Sequence, residues 1–231
     1  MPITKADVLA VLKDPVLNRI SFSVGMLTVN AAAFGIVARY IEADDIEVVP
    51  GKSRRVAVYD RQLNRIETPA RDPPLDLTDR AQLLHECVHA SSDISGGGGL
   101  VLEDEVAGYL AQTVFAQISH PTPAVLATPA QLRAASPLGR MVFAMQETMR
   151  TYHLDEARGF GAKISAIEIH RLAEAIRAMP DYAGLTEATR ATYPGVPVVN
   201  GDQMQALREA LMRGRPPGRK PAARIARPLI F

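Results

Sequence analysis

Apolar and polar positions change period several times along the 231-residue chain. The segment TKADVLAVLKD reads as a short helix capped by Thr4 and stopped at Pro15. Residues 20–38, ISFSVGMLTVNAAAFGIVA, carry no charge, and a long apolar helix is predicted from there to about residue 43. Three strand-like runs follow, IEVV, RRVAVYD and NRIET, separated by turn signals; they predict a small antiparallel sheet. ARDPPLDLTD is a linker in which Thr78 or Asp79 is expected to cap the next helix, LLHECVHA. The glycine run at 96–99 ends that helix. LVLEDEVAGYLAQTVFAQ is helical again, by the spacing of Val106, Leu110, Val114 and Phe115 with Ala107 and Ala111 between them. A proline-punctuated stretch, PTPAVLATPAQLRAASPLG, is expected to wrap the surface. Helices are predicted over 141–157, 164–179 and 203–213, the last capped by Asp202. This order predicts a helix-rich α+β domain over 1–212, its small sheet packed on the helix that carries HECVH.

Composition adds few constraints. With 47% hydrophobic and 22% charged residues, the chain is long enough and apolar enough to bury a real core. Its net charge of +1 is unevenly placed, because residues 213–231 hold six bases and no acid and leave the rest at −5. That Pro- and Gly-rich tail reads as a solvated terminus, and no specific nucleic-acid binding is expected from it. The single cysteine, Cys87, has no intrachain partner, so the fold does not depend on an oxidising compartment. Residues 20–38 reach the hydropathy of a membrane span, but Asn30 and two glycines interrupt them. A buried helix is the favoured reading, membrane contact the alternative. No typical signal peptide precedes the segment, and a cytoplasmic location is expected.

Chemistry is concentrated in His85-Glu86-Cys87-Val88-His89. Two histidines four apart on a helix lie about 40° from each other around its axis, so both imidazoles reach one ion. This is the HExxH arrangement of zinc-dependent peptidases. Cys87 points about 200° from His85 and is read as packing, with Leu83 and Ala90. Catalytic zinc takes three protein ligands as a rule and keeps one position for water. A third histidine in an HExxHxxGxxH pattern is excluded, because Ser92 and Ser95 stand at those positions. The next helix offers Glu103, Asp104 and Glu105, and Asp93 competes if the first helix continues. Glu105 is favoured, since Gly108 and Tyr109 follow at i+3 and i+4 and a residue without Cβ lets two helices approach closely.

The run Glu105-Val-Ala-Gly108-Tyr109-Leu-Ala111 after an HExxH helix resembles the gluzincin branch of the zincin superfamily, in particular small bacterial HExxH metallopeptidases whose second helix reads E-x-x-[AG]-[YF]-x-A. VAVYDRQLNRIETP looks like the strand, turn and strand that precede the active helix in such proteins. The resemblance covers about 46–117. It implies Zn2+ held by His85, His89 and Glu105, with Glu86 as general base in the hydrolysis of a peptide or protein substrate. Tyr109, Tyr152, His153 and His170 are candidates for a second oxyanion donor. The alternative to an enzyme is a zincin-like domain that binds zinc or a partner, in a regulatory or toxin-associated role, without turnover.

Overall fold

The computed structural model describes residues 2–51, 57–96, 99–121, 131, 134–156, 161–186 and 188–189. Among them are six α-helices and two small three-stranded sheets, an α+β arrangement. Helix α1 (Lys5–Leu12) is closed at its start by a capping box between Thr4 and Asp7, in which the Thr4 hydroxyl and backbone hold the Asp7 carboxyl below its usual range. A 3-10 turn, Pro15–Arg19, leads into the first sheet.

The expected long apolar helix does not begin at residue 20. Ser21–Val24 (β1) and Leu27–Asn30 (β2) form an antiparallel hairpin, and only Ala31–Glu42 is helical (α2). The cause is local. Ile20, Phe22 and Val24 are buried while Ser21 and Ser23 are not, which is a period of two. Gly25 takes the positive φ of 57° that the two-residue turn requires, and the Asn30 side chain accepts from Ala33 N–H to begin α2. Among the described residues no helix is long and apolar enough to cross a membrane.

The second sheet holds the three strand-like runs, as β3 (Glu47–Pro50), β4 (Val58–Asp60) and β5 (Arg65–Thr68), in the order β3-β5-β4. Only one of its pairings is antiparallel. β4 and β5 form a hairpin closed by the Asp60 carboxylate, which accepts from Gln62 and Leu63 N–H, whereas β3 runs parallel to β5. The two outer strands therefore flank β5 in opposite directions, β3 parallel to it and β4 antiparallel. The first sheet is mixed as well. Ala162–Lys163 (β6) lies parallel to β1 on the side away from β2.

Helix α3 (Leu77–Ile94) carries HECVH, and α4 (Val101–Ser119) packs along it. The cap of α3 is Asp76, not Thr78 or Asp79; Asp79 is its reciprocal partner, two carboxylates three apart each accepting the other's backbone N–H. Arg71 pairs with both acids and lowers the cost of placing them together. Helix α4 is buried around most of its circumference, from Leu102 and Val106 to Tyr109, Leu110, Val114 and Phe115, which makes it the central helix of the core. Helices α5 (Pro137–Thr151) and α6 (Ala166–Arg177) close its other sides, and a 3-10 turn, Pro180–Tyr182, follows α6. They stand close to the predicted spans 141–157 and 164–179. The predicted helix 203–213, the tail 213–231 and most of the proline-punctuated stretch lie outside the described residues.

Candidate metal centre

Helical periodicity brings His85 and His89 to one face of α3, with ring centroids 4.8 Å apart and planes inclined by 63°. Opposite them α4 presents Glu105. Its Oε2 lies 3.4 Å from His85 Nε2 and its Oε1 lies 3.6 Å from His89 Nε2. One ligand atom from each of the three residues falls within 4.8 Å of the others. Ligand atoms on one tetrahedral ion with bonds of about 2.0–2.2 Å stand about 3.3–3.6 Å apart, as Glu105 Oε1 and His89 Nε2 do, whereas the contact to His85 is made by the other oxygen, so the two contacts are not both ligand spacings. They are long for hydrogen bonds, and the buried His85 Nε2 makes none.

The close approach of the helices has an identifiable origin. A Cβ placed on Gly108 would fall 2.8 Å from His85 Nε2 and 2.9 Å from two ring carbons, so the imidazole rests on bare backbone. One residue on, the Tyr109 ring meets His85 edge to face, with centroids 4.5 Å apart. Gly108 and Tyr109 thus form the wall against which His85 is held.

The other acids point elsewhere. Glu103 lies over the β1–β2 turn, where its carboxylate fills the space that a side chain on Gly25 would occupy. Asp104 accepts from the Ser92 hydroxyl at 3.1 Å and faces the Arg61 guanidinium at 3.6 Å. Asp93, the competitor on α3, accepts from the Tyr59 hydroxyl at 2.8 Å. Burial, with the Asp93 charge beside it, pushes the Tyr59 phenol far above its usual range, so it keeps its proton and remains the donor.

Glu86 is buried at 1% exposure, and its Oε2 accepts from Tyr59 N–H at 2.8 Å. That amide belongs to β4, an edge strand, so the sheet and the motif helix are joined at the residue next to His85. Arg61, in the turn after β4, places a guanidinium nitrogen 3.4 Å from His89 Nδ1. Cys87 is fully buried on the far side of the helix, as its angular position predicts, and burial raises its thiol well above the usual range.

Among the four candidates for a second oxyanion donor only Tyr109 is at the cluster. Tyr152 bonds Ser165 at the end of α5, His153 pairs with Glu156 on the surface, and His170 is exposed on α6. The sequence gives no sign of Tyr182, whose hydroxyl donates to Glu105 Oε2 at 3.1 Å from 77 residues further along the chain. No local pattern marks it, because the contact exists only once the turn after α6 docks on α4.

Electrostatics favour a cation here. Glu86, Asp93, Asp104 and Glu105 are each at most 3% exposed, and Arg61 brings one positive charge to the group. Buried carboxylates cost several kcal/mol each unless compensated, and a divalent ion at the cluster would compensate Glu105 directly. Two imidazoles and one carboxylate are a donor set for a divalent transition-metal ion. Comparison with protein-family models, with curated proteins and with solved structures finds no match to this chain, so a buried group of two histidines and one glutamate, able to hold a metal ion, is what the molecule itself establishes.

Proposed function

We propose that the chain is a zinc-dependent metallopeptidase in which His85, His89 and Glu105 hold the ion and Glu86 is the general base. The observation that carries this reading is the buried His85, His89 and Glu105 cluster, with its 3.4 and 3.6 Å contacts, directly beside a buried glutamate. A zinc ion held by this set supplies Lewis acidity toward a peptide carbonyl and lowers the pKa of water to about 7. Glu86 takes the proton of the attacking water and delivers it to the departing amine nitrogen, and the Tyr59 N–H fixes the carboxylate's orientation for both transfers.

A second reading, a domain that holds zinc without turnover, is favoured by one observation. His85, Glu86, His89 and Glu105 are only 0–3% exposed, the enclosure typical of structural sites. The two readings separate in one assay, cleavage of a denatured protein and a peptide library by zinc-loaded wild type and Glu86→Gln. The peptidase reading expects cleavage by wild type and a loss of about 100-fold or more in the variant. Equal cleavage by both refutes Glu86 as base, and a zinc-loaded wild type that cleaves nothing supports the second reading.

A further inference from the structure

The buried carboxylate of Glu105 is served by two tyrosines whose hydroxyls form a chain. Tyr182 donates to Glu105 Oε2 at 3.1 Å, and the Tyr109 and Tyr182 oxygens are 2.9 Å apart. A phenol has a single proton. Because that of Tyr182 goes to the carboxylate, the proton between the two phenols comes from Tyr109. The order is therefore Tyr109 to Tyr182 to Glu105, each donor polarising the next. Both rings are almost fully buried, and they meet edge to face at 6.4 Å. Tyr109 also holds the His85 ring, so one pair of phenols supports two members of the cluster, one through its ring and one through its hydroxyls.

We propose that Tyr182 is a positioning residue of the metal centre, which holds Oε2 of Glu105 so that the carboxylate offers the ion a single oxygen, Oε1. This rests on the metal-site reading above. A carboxylate with both oxygens available can chelate through both and so take up the position that water needs. A donor fixed on one oxygen lowers its basicity and sets the rotation of the carboxylate plane. The hydroxyl arrives from the turn after α6, so the site is complete only when that turn is seated on α4.

The test uses the full chain and Co2+ as a spectroscopic probe, with Zn2+ in competition. Wild type is expected to bind one Co2+ with the intense visible absorption of a four-coordinate ion. Tyr182→Phe keeps the ring and removes the hydroxyl; its affinity is expected to fall about 10- to 100-fold, with the weaker absorption of a higher coordination number. Tyr109→Phe keeps the ring against His85 and removes only the donor to Tyr182. A loss of about threefold with the four-coordinate spectrum retained is expected of it. Circular dichroism of the metal-free variants reads folding separately. Wild-type affinity and spectrum in a folded Tyr182→Phe overturn the proposal and leave the metal site standing. If that variant does not fold, unchanged affinity in Tyr109→Phe overturns it instead. A wild type that binds no Co2+ or Zn2+ overturns the metal site and this proposal together.

Discussion

Gly108→Ala subjects the cluster to the smallest available change, one methyl group. Two effects of opposite sign follow. Inside a helix, alanine is favoured over glycine by about 1 kcal/mol, because it loses less backbone entropy on folding. Against this, the new Cβ would sit 2.8 Å from His85 Nε2 and 2.9 Å from Cδ2 and Cε1, whereas ordinary contact begins at 3.4 Å. The ring must therefore retreat by about 0.6 Å, and it cannot swing into solvent because it is buried between α3, Gly108 and Tyr109. Overpacking of this kind costs about 1–3 kcal/mol, so the metal-free variant should be between unchanged and about 2 kcal/mol less stable. Metal binding is the sharper readout. Ligand distances tolerate about 0.2 Å, so the displaced ring should weaken zinc binding by about tenfold or more, which is about 1.4 kcal/mol. Competition with a chromophoric chelator measures the affinity, and denaturant unfolding of the metal-free protein measures the stability. A variant that binds zinc as tightly as wild type and is about 1 kcal/mol more stable would refute the claim that Gly108 exists to admit His85.

Two further expectations concern groups outside the ligand set. Cys87, with its thiol pKa raised by burial, should resist alkylation at pH 8 in the native state and react only after unfolding; rapid stoichiometric labelling of the folded protein would place it on an exposed face. Glu168 has its pKa lowered, first by its hydrogen bond from Arg171 and then by that from the Thr148 hydroxyl. A depressed carboxylate pKa stabilises the fold above the unfolded value of about 4.5 and loses that contribution as pH falls through the folded value. Glu168→Gln should therefore lower stability at pH 7 by about 1 kcal/mol, with the difference closing below pH 4 in parallel thermal melts. A difference that is independent of pH would contradict the assignment.

The group of His85, His89 and Glu105 was legible because its parts are local. His85 and His89 are related by one turn and Cys87 by its angle on the same helix, so periodicity assigns their faces; Glu105 is favoured over Glu103, Asp104 and Asp93 only through Gly108 and Tyr109 one turn on. What could not be read depends on partners distant in sequence. Tyr182 reaches Glu105, Tyr59 reaches Glu86 and Arg61 reaches His89 only after elements separated by tens of residues have packed. The hairpin within 21–30 is a different case, since its signal was present. The alternation Ser21-Phe22-Ser23-Val24 and the turn at Gly25 mark strands, but the absence of charge over nineteen residues outweighs them when the segment is averaged as a whole. Similarly, Asp76-Leu77-Thr78-Asp79 is a capping box in which a carboxylate takes the place of the usual hydroxyl and another that of the usual glutamate, which moves the helix start two residues upstream of Thr78. In the second sheet β3 pairs with β5, which is not its neighbour in sequence, and no residue pattern within a strand encodes that choice of partner.

The central claim is that His85, His89 and Glu105 together hold one zinc ion. Metal content of purified, chelator-washed and zinc-reconstituted protein tests it most directly, with wild type compared with Glu105→Ala, Glu103→Ala and Glu86→Gln. One zinc per chain is expected in wild type, Glu103→Ala and Glu86→Gln, and little or none in Glu105→Ala. A wild type without zinc, or a Glu105→Ala variant that retains a full equivalent, would contradict it.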